Sequence, residues 1–136
     1  MANYNLYKNI NPGSLRSAAS SLKQKLTTSQ SKLKTFNSSL NDSIWKATAK
    51  GTLKEACNKI DSEVYSDLIN NLGKLDEVAS NVEKYNNARD KALTYKSYLD
   101  SATKDTPESS IDSWRSSLNS EERTMESCEQ AINSLM

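Results

Sequence analysis

Histidine is missing from all 136 residues, and with it go His-based catalytic triads, imidazole metal ligation and the usual general base near neutral pH. Cysteine occurs only at Cys57 and Cys128, too far apart to form a zinc-ligand pair. The three glycines, Gly13, Gly51 and Gly73, are isolated from one another, which excludes a glycine-rich phosphate loop. Carboxylates in the C-terminal third read as a solvated charged face rather than an acid/base pair. These absences predict a chain that is not an enzyme and carries no cofactor or metal.

Glycine and proline are too scarce, with three and two copies, to punctuate a sheet-rich fold. Only 35% of residues are hydrophobic and only one is Phe, so any core is modest and long helices are favoured. No apolar run approaches the ~20 residues needed to span a bilayer, which predicts no integral membrane segment. The opening "MANYNLYKNINPGS" lacks a basic stretch followed by an apolar one, so no cleaved secretory leader is expected. The expected location is cytoplasmic until export, if any, by a machine that reads no such leader; a secreted or cell-surface destination is then open.

Acid is absent from one end. Residues 1–41 contain no Asp or Glu, only Lys8, Arg16, Lys23, Lys25, Lys32 and Lys34, whereas the C-terminal part carries Asp105, Glu108, Asp112, Glu121, Glu122, Glu126 and Glu129. A basic leading helix can attract nucleic acid or an anionic surface. It can equally face an acidic helix in a bundle, and this second reading, with no nucleic-acid partner, is the one adopted.

What is present is periodicity. Leu15, Ala19, Leu22, Leu26, Ser29, Leu33, Phe36 and Leu40 recur in alternating steps of four and three, the stripe of an amphipathic helix lying along a partner helix. Asn11 or Ser14 is the candidate N-cap, with Pro12 in the first turn. A second stripe runs Leu53, Cys57, Ile60, Val64, Leu68, Leu72, Leu75, Ala79, Val82, Tyr85, Arg89, Ala92, Tyr95, Leu99 and Ala102. Its repeated steps of four up to Leu72 depart from a heptad. Gly73 is the expected kink or break, and Thr52 with Glu55 matches a capping box. The third stripe, Ile111, Trp114, Leu118, Glu121, Met125, Cys128, Ile132 and Leu135, follows a turn in which Thr106 is the candidate N-cap and Pro107 the first helical residue. Trp114 is read as a packing residue, and the two cysteines as buried thiols, a bridge between them being left open.

The expectation is an all-α fold: one domain, residues 1–136, made of a long antiparallel helical hairpin with a third C-terminal helix, the helices covering about 14–42, 46–103 and 107–135. At 1.5 Å per residue the middle helix is about 75 Å long and its neighbours about 43 Å. Only two helices then meet near each end of the middle one, and two helices cannot enclose both of their stripes. A second copy or another helical protein is expected to complete the bundle. The residues expected at helix-packing interfaces are Leu22, Leu26, Leu33, Phe36, Leu40, Leu53, Ile60, Val64, Leu68, Trp114 and Leu118.

Between the first two stripes stands "DSIWKATAKG", with Trp45 at the junction, Ala47 two positions on and Gly51 after it. A Trp there can cover the end of an interhelical seam. It also suits any helical hairpin closed by a large side chain. The arrangement resembles the W-x-G helical-hairpin proteins of type VII secretion, the early-secreted-antigen-like family, and their relatives beside LXG toxins, with Ala47 where the family has Gly. The resemblance covers roughly residues 14–102 and implies a hairpin turn at Trp45, Ala47 and Gly51, pairing into helical dimers, and export without a cleaved leader. The family's export mark, Tyr followed four residues later by Asp or Glu, has Tyr85 and Tyr95 as its candidates. Arg89 and Leu99 occupy those fourth positions, and Asp90 and Asp100 fall one place late. The implied role is a small partner or leaderless secreted protein that packs its helices against a toxin's N-terminal domain, a related small protein or itself. The alternative is a structural helical subunit, of a phage particle or coiled-coil assembly, without a secretion role.

Overall fold

Asn11 sets the start of the first helix: its Oδ1 accepts the backbone N–H of Ser14 at 3.1 Å, and Pro12, with no N–H to satisfy, takes the first helical position. The structure, a computed structural model, describes residues 2–40 and 47–136. Among these the chain forms α1 (Pro12–Ser39), α2 (Ala47–Ile60), a π-helical turn (Asp61–Tyr65), α3 (Ser66–Asp100) and α4 (Glu108–Leu135), with no strand. Because α2, the π turn and α3 follow without interruption, this is the expected all-α arrangement of three antiparallel helices. α1 closes where Ser38 and Ser39 turn their hydroxyls onto the carbonyls of Lys34 and Phe36, short side chains competing for local backbone partners.

The irregularity of the long helix is displaced from where glycine predicts it. α3 continues through Gly73, and a Cβ there would meet nothing within 4 Å. The departure lies at Asp61–Tyr65 instead, where the Ser66 N–H donates to the Asp61 carbonyl, a span of five residues. The Ser66 hydroxyl donates to that same carbonyl at 3.0 Å. This turn explains the successive steps of four at Ile60, Val64, Leu68 and Leu72. A wider turn absorbs the residue that 3.6-fold geometry would carry off the stripe.

α2 begins at Ala47, next to the expected bound of about 46, so Thr52 is inside the helix and not at its cap. The start of α4 differs from expectation. At α4 the flanking residue is Pro107, with φ −57° and ψ 136°, one place later than expected. Thr106 Oγ1 instead accepts the Thr103 N–H at 2.9 Å, while the Pro107 carbonyl receives the N–H groups of Ser110 and Ile111.

The chain divides into two compact units. Unit 2, Arg16–Asp76, is a helical hairpin in which residues of α1 meet partners of falling number: Arg16 with Asp76 at 3.8 Å, Gln30 with Asp61, and Asn37 with Asn58 at 3.1 Å. That order establishes the antiparallel pairing. Unit 1 comprises Met1–Leu15 and Glu77–Met136. In it the C-terminal part of α3 runs antiparallel to α4, Lys91 reaching Glu121 at 3.9 Å and the Tyr98 and Trp114 rings lying 5.4 Å apart. Its core gathers Tyr85, Ala88 and Ala92 from α3, Met125 and Cys128 from α4, and Ala2 from the N-terminal segment.

Candidate helix-docking surface

Unit 2 has two helical layers and an apolar stripe on each. Ala19, Leu40, Cys57 and Leu72 are buried, and Leu26, Leu33 and Leu53 are half-buried. The rest of the expected packing stripe stays open: Leu22 is 49% exposed, Phe36 43%, Val64 46% and Leu68 44%, with Ile60 and Leu75 also exposed. Leu22 and Leu26 on α1 and Leu68, Asn71, Leu72 and Leu75 on α3 line a groove of about 360 Å³. Isolated exposed leucines are ordinary, but a contiguous apolar groove between two helices marks a surface suited to another helix.

The electrostatics of this face are uneven. Seven residues apart on α1, Lys25 and Lys32 share one side of the helix next to Leu22 and Phe36, and both are exposed. Across the hairpin, α2, the π turn and α3 are mixed, supplying Glu55, Asp61, Glu63, Asp67 and Asp76 together with Lys50, Lys54, Lys59 and Lys74. Gln30 donates to the Asp61 carboxylate and Arg16 pairs with Asp76, so the seam carries polar links at intervals while its apolar edge is left uncovered.

Of the residues expected at the hairpin turn, Ala47 and Gly51 belong to α2. Trp45 lies outside the described residues, as does the side chain of Ala47. Ala47 is the first residue of α2, and no described non-glycine residue has positive φ, so the backbone makes no demand for glycine there. Gly51 is a helical residue with open space around it, not a turn residue. The helix-compatible run Ala47–Lys50 starts α2 ahead of it.

Trp114 and Leu118 are half-buried on the inner face of α4, Trp114 against Tyr98 and Leu118 against the core of unit 1. Tyr95 is half-buried, its ring in edge contact with Tyr98 at 6.2 Å. Tyr85 has no exposed surface at all, so nothing outside can read its ring while its cover is in place. That cover was not apparent from periodicity. Tyr7 meets Tyr85 edge-on at 4.9 Å, and Tyr4 donates its hydroxyl hydrogen to Glu122 with Lys96 Nζ 4.2 Å from its ring centroid. The available signal was compositional: two of six tyrosines fall within the first seven residues of a polar chain.

Burial, ahead of the Glu122 hydrogen bond, pushes the Tyr4 hydroxyl far above its ordinary pKa. Burial likewise raises Tyr7, with Glu129 adding to it. It raises Tyr85 too, against an opposing pull from the Leu6 backbone and from Arg89. The two cysteines are both free and buried, and burial raises the Cys128 thiol with only partial relief from Lys84. Such thiols pack as small hydrophobes.

Among the described residues no group of His, Cys, Asp and Glu is arranged to hold a metal, and no helix is long and apolar enough to cross a membrane. Among the described residues, fold and surface define a helical bundle with an apolar face left open between α1 and α3. The chain matches no family model, no curated protein and no solved structure.

Proposed function

We propose that the chain is a small non-enzymatic helical partner protein of a type VII secretion system, which docks the uncovered face of unit 2 against the helical N-terminal domain of a toxin. The observation that carries the docking is the open apolar groove between Leu22 and Leu26 on one helix and Leu68, Leu72 and Leu75 on the other. Each leucine fully enclosed there by a partner contributes about 1.5–3 kcal/mol relative to full exposure, less for one already half-covered. The secretion context rests on the resemblance around Trp45. Helix-in-groove packing requires only apolar residues at helical spacing on both sides, and α1 and α3 present that spacing.

The test is a tagged pull-down from the native cell and its medium, comparing the native chain with the Leu22→Asp/Leu68→Asp variant. A larger protein with a helical N-terminal region, captured by the native chain and lost from a variant that keeps its helical circular dichroism, is the expected result. Undiminished capture by the variant rejects this face as the docking surface. A native chain that recovers only itself, in a defined ring or filament, replaces the partner reading with the structural-subunit one.

A further inference from the structure

Residues 2–10 form no regular helix or strand. They pass through successive turns closed by long backbone bonds, Leu6 N–H to Asn3 O at 3.4 Å, Lys8 to Asn5 at 3.5 Å and Ile10 to Tyr7 at 3.2 Å. Asn3 Oδ1 takes the Asn5 N–H at 3.1 Å, the type of local side-chain bond that favours turns over helix. The segment is attached to α3 and α4 by side chains, Ala2 in the core, Tyr4 between Glu122 and Lys96 and Tyr7 on Tyr85, and by the Leu6 backbone at the Tyr85 hydroxyl.

The surface beneath has the shape and chemistry to receive such a segment. Ala88 and Ala92, one turn apart on α3, supply a low floor, Tyr85 and Met125 are fully enclosed beside them, and Leu118 packs against the same cluster. Lys96 and Glu122 flank it with opposite charges. The fit is incomplete in one respect: Asn86 Oδ1 and Arg89 Nη1, from one stretch of α3, are buried without a hydrogen-bond partner. Buried polar groups left unpaired weaken the closed arrangement relative to a hydrated one.

We propose that residues 2–10 are a releasable strap, and that the α3–α4 groove beneath it is a docking site for a short segment carrying two tyrosines three residues apart. The strap is the resident occupant. Tyr4 and Tyr7 act as its two anchors, and release hydrates the two unpaired atoms while leaving the helices of unit 1 formed. Nothing in this depends on the face of unit 2 or on a secretion role.

Cys128 belongs to the core cluster against which both tyrosines pack and provides the readout. In full-length protein carrying Cys57→Ala, the rate at which an aromatic disulfide reagent labels Cys128 is measured with rising urea. Labelling that is insensitive to low urea is expected, the signature of local opening. Tyr4→Phe, which removes only the Glu122 bond, should speed labelling, and Tyr4→Ala/Tyr7→Ala should speed it by about tenfold or more with helical circular dichroism retained. A synthetic peptide of residues 2–10, added to the double variant, should slow labelling again. Labelling that follows global unfolding in every variant, or loss of helical signal in the double variant, overturns the strap. Failure of the peptide to protect Cys128 overturns the docking site.

Discussion

Tyr85 and Phe36 occupy equivalent places in their stripes, each an aromatic residue on the inner edge of a long amphipathic helix, yet Tyr85 is fully enclosed and Phe36 is among the exposed large side chains. The difference is one of layers. Unit 1 combines two helices with an N-terminal segment, and all three contribute to a continuous core. Unit 2 combines two helices alone, and its buried set reduces to one or two small residues and leucines per helix. Similar apolar stripes therefore mean different things depending on how many elements share the seam. A stripe promises a contact but does not say whether the same chain supplies it.

The comparison is broken most sharply by truncating the two aromatics in turn. Tyr85→Ala empties an enclosed site and should cost about 3–5 kcal/mol, whereas Phe36→Ala should cost under about 1 kcal/mol in the isolated protein. Urea unfolding followed by circular dichroism checks both. Equal losses would show that unit 2 encloses Phe36 in solution, through self-association or otherwise, and repeating the measurement over a range of protein concentrations would tell which.

Alkaline pH should separate the units next. Tyr4, Tyr7 and Tyr85, all in unit 1, have hydroxyl pKa values raised above 10 in the folded state, by burial first. A raised folded-state value means that the unfolded chain releases these protons first. The stabilisation is complete below pH 10 and declines as pH climbs from there through the folded-state values. Tyrosinate absorbance followed together with Cys128 labelling should show unit 1 loosening above pH 10; ionisation of all the tyrosines at their ordinary pKa with no loosening would contradict the burial seen here.

How much of this was legible in the sequence follows from the same contrast. Residues of the second and third stripes that fall in unit 1, from Ala79 to Ala102 and from Ile111 to Leu135, are all buried or half-buried, as their periodicity required. The cap at Asn11 was readable because capping is local chemistry. The repeated steps of four read in the sequence only as a departure from the heptad, although they coincide with the π turn, and the glycine drew attention to the wrong place, since a lone glycine in a helix weakens it without bending it. The strap left no periodic trace, because turns bonded through Asn3 and Asn5 have none. Leu22, Val64 and Leu68 were expected at packing interfaces and are exposed, because helix lengths show how few elements meet there while the residues' own spacing does not. Trp45, on which the family resemblance turns, lies outside the described residues, so the candidate turn gains nothing from the fold.

A smaller effect is expected at the junction of strap and α1. Asn11→Ala removes the acceptor of the Ser14 N–H and should cost about 1 kcal/mol. Because the Asn11 side chain ends the turns of residues 2–10 and starts a helix belonging mainly to unit 2, its loss should also raise Cys128 labelling slightly. Asn11→Ser or Asn11→Asp should restore both properties, and a failure of either to do so would show that Asn11 acts otherwise than as a cap.

The smallest predicted change runs in the stabilising direction and bears on unit 2 alone. Gly73 stands inside α3 with no positive φ and with open space where a Cβ would be. Gly73→Ala should therefore add about 0.5–1 kcal/mol through backbone entropy in the unfolded chain. In a region whose side chains enclose little, helix propensity forms a larger share of local stability than in unit 1. Amide hydrogen exchange should consequently slow in residues 66–76 more than in residues 77–100, although all belong to one continuous helix. Slowing spread evenly along α3 would mean that the helix opens as a single cooperative unit, and that the boundary between the two compact units has no counterpart in their stability.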